Sequence, residues 1–367
     1  MRGIYFGTAG LLFALLPLAC ERKADVPPPR LPVNVSTALA VSKPVPLYID
    51  EIGTCVALQS VSILPQVSGA IAKIHFEDGA ELKQGDPLFT IDPRLFEAAR
   101  DKAEATLLSD QATLELNRAQ LKRSQELAQG NYISAQDLEN LKTTVATSEA
   151  VVQGDRAALK TAQINLEYCT MNSPIDGKAG IHQVDIGAVV TAYSNTPLVS
   201  IQRLDPLYVD FVVAETDLPQ VRNYFKTGAL KVEVYYPEAE QKKRSGELFF
   251  LDNAVQTGSG TVKLRAILHN EDHFFWPGQF VNVRLLLDTI QNAVLVPYEA
   301  VQVGNNGPFA FIVKGDNTVE LRFVKPGQRQ GDQIVVSDGI KQGEMVVVTG
   351  QLSLAPGAKV MPSAATK

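Results

Sequence analysis

Little in this chain is suited to covalent chemistry. Its 367 residues hold three cysteines, four histidines, four methionines and one tryptophan. No P-loop, no Gly-x-Ser-x-Gly and no His-Glu-x-x-His pattern occurs, so phosphate cradling, serine hydrolysis and zinc-protease chemistry lack their usual scaffolds. So few methionines, one of them the initiator, give little support for soft-metal handling. The only close histidine pair, His269 and His273, falls between strand-like runs, where a solvated turn is expected rather than a metal site. Basic runs are also missing. With a net charge of −6, nucleic acid is not an expected partner. After the first 20 residues, no apolar stretch reaches the 18 needed to span a membrane.

The N-terminus is of another kind. Arg2 precedes an apolar run, Leu11 to Leu16, which ends at Pro17, Leu18, Ala19 and Cys20. Residues 1–19 read as a secretory signal and stand outside the fold. The ending resembles a bacterial lipobox, which makes Cys20 the expected lipid anchor; an ordinary cleaved signal or a retained N-terminal anchor is the alternative. A polar, proline-rich tether follows to residue 32. In an oxidising compartment Cys55 and Cys169 could pair, but neither spacing nor motif supports a bridge, and two unbridged, half-buried strand residues are expected.

What the chain does have is a small β repeat. One copy runs through Gly69–Ile74, Gly79–Leu82 and Pro87–Ile91. The other runs through Ile175–Gly177, Gly187–Val190 and Pro197–Ile201. Gly69 to Gly79 and Gly177 to Gly187 are each ten residues, as expected of one supersecondary unit used twice around a shared core.

Between the copies nearly everything reads as helix. Asp92 and Pro93 supply a cap and a first-turn proline. A helix is expected from about Arg94 to Gln129, closed by Gly130 as a left-handed cap. Ser134 opens a second helix, with Asp137 three residues on in a capping-box arrangement. That helix repeats at alternating threes and fours: Leu138, Leu141, Val145, Ser148, Val152, Asp155, Leu159, Ala162 and Leu166, a coiled-coil seam. The first helix carries Leu107, Leu114 and Leu121 at period seven. Ala98, Ala105, Ala112 and Ala119 share that period on another face, either as a second contact or through helix propensity alone. Such a hairpin would be about 50 Å long. Beyond the second copy, short alternating runs at 207–213, 230–235, 260–268 and 280–287 predict a small barrel or sandwich, with a short helix at 215–222. A last β segment spans residues 293–361.

Together these stretches resemble the membrane fusion protein (HlyD/AcrA-like) family, the periplasmic adaptors of resistance-nodulation-division (RND) efflux pumps. Val67–Ile74 with Gly79, Gly85 and Asp92 is similar to the family's first lipoyl half, and Pro174 and Gly177 through Gly187 to its second. Trp276–Val283 and Val294–Val301 resemble the end of its β-barrel, and Asp338–Val347 its closing repeat. The resemblance implies a mainly β, elongated multidomain chain with a long α-helical coiled-coil hairpin. After the signal at 1–19 and a lipid-anchored tether at 20–32 come a membrane-proximal β domain (33–45 plus 289–363) and a β-barrel (46–60 plus 204–288). A lipoyl-like barrel-sandwich domain (61–92 plus 168–203) and the hairpin (93–167) complete it.

It further implies an adaptor in the periplasm of a Gram-negative bacterium, anchored to the inner membrane. The adaptor would link a proton-driven RND transporter to a TolC-like outer-membrane channel and self-associate into a ring, six copies in the family. Family members that dock such channels carry Arg, Leu and Ser at the spacing of Arg123, Leu127 and Ser134, which places the docking tip here. No cofactor and no catalysis are implied. A lipoyl carrier needs a modified lysine at the turn between halves, and here the hairpin replaces that turn. An ABC-exporter adaptor is the nearest alternative reading; an acyl carrier subunit or a freestanding coiled-coil surface protein is more distant.

Overall fold

Short runs of alternating apolar and polar residues, cut by glycine and proline, make β-strand the commonest regular structure among the described residues. The computed structural model describes residues 32–364 apart from Asn131. Cys20, the signal segment 1–19 and nearly all of the tether lie outside the described residues. The chain divides into two units, Pro46–Asp288 and the remainder on either side of it.

In the larger unit the repeat forms two four-stranded sheets of matching order. Gly69–Ile74 lies between Pro87–Ile91 and Val189–Val190, with Thr170–Asn172 at the edge. Gly177–Ala179 lies between Val199–Gln202 and Glu81–Leu82, with Ser60–Ile63 at the edge. Each copy thus lends a strand to the other's sheet: Gly69 faces Val190, and Leu82 faces Gly177. The exchange seals one core around Ile71, Leu88, Phe89, Ile91, Leu198, Val199 and Ile201. Each of these large apolar side chains contributes about 1.5–3 kcal/mol by leaving water.

Six strands close a barrel in the same unit. Lys231–Tyr235, the first strand of the sheet, pairs on one side with Arg244–Gln256 and on the other with Phe280–Pro297, which closes the ring. Thr261–Leu268, Leu207–Ala214 and Val41–Ala57 complete the ring. The strand Arg244–Gln256 has no clean alternation because its register shifts between Leu248 and Phe250 and again before Val255. The expected short helix begins at Leu218 rather than residue 215 and runs to Thr227, burying Val221 in the barrel core.

In the smaller unit Val33–Leu39 pairs antiparallel with Met345–Thr349 and parallel with Val360–Ala364. Gly307–Val313 extends that sheet. Val35, Phe311 and Val347 pack one cluster here; Val296, Ala310 and Val346 pack another.

The insertion is a two-helix hairpin, α1 (Arg94–Ala128) and α2 (Ala135–Glu167). Pro93 stands just before the first helical residue rather than at it, and the Asp92 carboxylate accepts the Arg94 backbone N–H at 3.2 Å. Gly130 is not a left-handed cap: its φ is not positive. A Cβ there would meet only the ring of the exposed Tyr132, which can swing aside, while the Gly130 and Tyr132 N–H groups both donate to the Leu127 carbonyl. Among the described residues no helix is long and apolar enough to cross a membrane.

Candidate functional site

The hairpin seam is built by heptad spacing on both strands. On α2 the shielded positions from Leu138 to Leu159 are Leu138, Leu141, Val145, Ser148, Val152, Asp155 and Leu159, and every residue between them is exposed. On α1, Ala103, Leu107, Asp110, Leu114, Asn117 and Leu121 answer them at the same threes and fours. Leu107, Leu114, Val145 and Val152 form the dry centre, flanked by Leu121 and Leu159. Two polar layers interrupt it. Asn117 Nδ2 donates to Ser148 Oγ at 2.7 Å, and Ser148 Oγ donates onward to the Thr144 carbonyl, so that layer is satisfied. A satisfied polar pair of this kind fixes register. The other layer sets Asp155 against Asp110, with Asp155 Oδ2 shielded from solvent and lacking a hydrogen-bond partner. Burial first, and then the facing Asp110, pushes the Asp155 carboxyl above the usual carboxylate range. Outside the seam Arg118 joins the helices, reaching Glu149 at 2.8 Å and Glu115 at 3.1 Å.

At the tip Arg123 is exposed and makes no ion pair or hydrogen bond among the described residues. Leu127, one turn on, is 52% exposed. Ser134 is the N-cap of α2: its Oγ accepts the Asp137 N–H at 3.1 Å and donates to Asp137 Oδ2 at 2.7 Å. The Asp137 carboxylate therefore takes the serine hydroxyl, where a full capping box would have it accept a backbone N–H.

The outer faces of the helices are also patterned. Ala98, Ala105, Ala112 and Ala119 are all exposed. On the same side of α1 lie Leu95, Leu108 and Leu116, at 83%, 61% and 61% exposure. The outer side of α2 presents Thr143, Thr147, Ala150, Gly154, Ala157 and Thr161, all exposed and uncharged. Gly154 has open space where a Cβ would stand, so nothing within the hairpin requires glycine there.

At the base, Asp92 ties the sandwich to α1. Its N–H donates to the Ala70 carbonyl at 2.9 Å, and its carboxylate holds Arg94, which keeps it down at about 2. Gly79, Gly85 and Gly187 turn the chain with φ of 76°, 94° and 90°. Gly69 and Gly177 instead admit close neighbours, the Ile91 side chain and the Gln202 backbone. Pro174 is exposed in the loop before Gly177, whose neighbour Ser173 is buried and donates to the Ile175 carbonyl.

Several contacts had no signal in the sequence because their partners lie far apart along the chain. Asp78 accepts both the His182 N–H at 3.0 Å and its ring Nδ1 at 2.7 Å, pinning the loops of the two repeat copies together. That hydrogen bond raises His182, while the His182 N–H and ring together lower Asp78. Lys178 of the sandwich lies 5.4 Å from the Trp276 ring of the barrel, and His273 lies 3.7 Å from Glu81. Asn270, 1% exposed, donates to the carbonyls of Leu204 and Phe275 and accepts the Phe275 N–H, closing the same joint. The two histidines do not converge, since His269 is turned out to solvent. Among the described residues no three metal-ligating side chains cluster. Cys55 and Cys169 are unbridged and fully buried, deeper than expected, and Cys169 sits just after α2 rather than in a strand. Burial pushes their thiols up to about 12 and about 11, so both stay protonated at neutral pH.

Three family models match in succession: the RND MFP barrel-sandwich hybrid domain over residues 59–202, the RND MFP beta-barrel domain over 206–289, and the RND MFP C-terminal permuted SH3 domain over 292–352. The multidrug resistance protein MdtA of Cronobacter turicensis is 38% identical over 330 residues, 90% of this chain and 80% of that one. MdtA of Klebsiella pneumoniae is 38% identical over 89% of this chain and 79% of its own. Among solved structures, a MacA–MexA chimera carrying the Pseudomonas aeruginosa MexA α-hairpin aligns over 85% of this chain and all of its own, with TM-score 0.60 and 23% identity. MacA of Actinobacillus actinomycetemcomitans aligns over 85% of this chain and 99% of its own, with TM-score 0.56 and 21% identity, a likeness of fold.

Proposed function

This chain belongs to the RND membrane fusion protein family, and from that premise we propose that it is the periplasmic adaptor of a tripartite multidrug efflux pump. It joins a proton-driven inner-membrane transporter to a TolC-like outer-membrane channel. The observation that carries this reading is the hairpin itself: a coiled coil grown out of a split barrel-sandwich domain, ending in an unpaired Arg123 and an exposed Leu127. An arginine suits channel carbonyl or carboxylate groups, and a leucine suits an apolar notch. Ser134 serves the tip by capping α2 and holding the turn.

Cys20 carries the lipid that keeps the chain at the inner membrane, and residues 20–32 form its tether. One acyl chain gives only marginal binding, so the transporter contributes to retention. The exposed leucines of α1 and the uncharged outer side of α2 support self-association into a ring, six copies in keeping with the family. Repeated weak contacts of this kind gain strength through avidity. The chain works through contacts and performs no catalysis. The succession of RND-type domains favours a proton-driven transporter over an ABC exporter.

The test is drug susceptibility in a strain lacking its own adaptor, supplied with the cognate transporter and either this chain or its Arg123→Asp variant. Resistance restored by the first and lost with the second, at equal expression, is the expected result. Restoration by both would remove the tip assignment, and restoration by neither would bring the ABC reading forward.

A further inference from the structure

Both acids of the odd polar layer occupy seam positions, where heptads favour apolar residues: Asp110 on α1 and Asp155 on α2. Two carboxylates this close in a half-buried layer cannot both be ionised without strong repulsion, and one proton between them relieves it. No nearby cation does so. Arg118 is already shared by Glu115 and Glu149, and these three with Arg156 line a groove on the hairpin's surface. Lys102, Lys122, Lys142 and Lys160 are exposed, off the seam. Of these groups only Asp110 reaches Asp155 electrostatically. Among the described residues no third carboxylate, histidine or cysteine joins the pair, so a metal ion would find only two side chains to hold it.

We propose that the Asp110–Asp155 pair is a proton-binding site within the hairpin, occupied when the seam is zipped and emptied as the seam loosens. Burial and the facing Asp110 raise the Asp155 carboxyl in the folded hairpin. The sign follows: its contribution is fully present below the usual aspartate range and is lost as pH rises through the raised value. The middle of the hairpin therefore tightens in acid and slackens toward alkaline pH. The satisfied layer at Asn117 and Ser148 has no such dependence. The consequence for docking rests on the adaptor reading, since a slack middle would uncouple the tip from the barrel-sandwich domain. The seam property itself does not.

The test is hydrogen exchange of the whole mature chain without transporter or channel, between pH 4.5 and 8 and corrected for intrinsic exchange. Segments 107–114 and 152–159 are compared with the layer around Asn117 and Ser148. Protection in the acid-pair segments should fall with rising pH, by up to about tenfold for each pH unit between the free and seam-held titration of the carboxyl. Asp155→Asn should abolish the fall, and Asp110→Asn, which leaves Asp155 buried, should lessen it. Protection in the wild-type chain that does not vary with pH, or that falls equally at the Asn117 layer, would overturn the proposal even without the variants. So would an Asp155→Asn variant that keeps the fall, or an Asp110→Asn variant that leaves it undiminished. Because no partner is present, failure here is distinct from failure of the adaptor reading.

Discussion

Gly177 and Gly187 stand ten residues apart in one copy of the repeat and are glycine for different reasons. Gly187 has φ of 90° with nothing near the place a Cβ would occupy, so alanine there meets only backbone strain. Gly177 has an ordinary φ, but its Cβ would lie 2.6 Å from the Gln202 carbonyl oxygen and 3.1 Å from the Arg203 nitrogen, backbone atoms that cannot rotate away. We expect Gly187→Ala to cost about 1–2 kcal/mol, the left-handed penalty, and Gly177→Ala about 3 kcal/mol or more, because the strand pairing itself must shift. Urea denaturation of the mature chain would rank them; equal losses would mean that the two paired strands tolerate separation at Gly177. Spacing alone made both glycines visible in the sequence but could not tell a turn from a close approach. Nor could it pair Asp78 with His182 or Asn270 with Leu204, since those contacts exist only after the sandwich and barrel have closed.

At the level of elements, the hairpin was the most legible part of the chain. Its helices are long and pack mainly on each other, so the threes and fours of the seam report their environment directly. The barrel strand Arg244–Gln256 was not legible, because its bulges put Phe249 and Phe250 side by side in sequence without alternation. The tip lies between these cases. A serine at an N-cap was expected and is present, but the same hydroxyl was also assigned to channel docking, and its one proton is already given to Asp137. We propose that the cap is what Ser134 supplies. Ser134→Ala should remove about 1 kcal/mol from the first turn of α2 and lower drug resistance in the complemented strain. Ser134→Asn, a neutral residue that caps equally well without a hydroxyl, should keep both. Helicity by circular dichroism, read beside susceptibility, separates the roles: an asparagine variant that stays helical but sensitises the cell would return the hydroxyl to the docking contact.

For the whole molecule, equal glycine spacing foretold that two copies share a core, but not that each lends a strand to the other's sheet. That exchange means neither half of the sandwich closes its core alone, although 77 residues separate Asp92 from the start of the next sandwich strand at Thr170. A domain interrupted in this way can bear a long insertion, because the cost of closing a loop grows only slowly with its length. The insertion meets its own partner through one seam and leaves a second pattern unmet. On α1 the outer leucines Leu108 and Leu116 stand beside an alanine stripe; on α2 the outer face is small and uncharged around Gly154, whose place in mid-helix costs about 1 kcal/mol against alanine. A bulky face on one helix and a shallow one on the other suit head-to-tail contact between copies, the arrangement that closes rings. The double variant Leu108→Lys, Leu116→Lys changes only exposed side chains, so the stability of the single chain should move by no more than about 0.5 kcal/mol. Self-association by sedimentation velocity should nevertheless be lost, and efflux with it, while Arg123 remains in place at the tip. A double variant that assembles and confers resistance as the parent does would leave these leucines as solvent-facing residues and move the copy contact to the β domains.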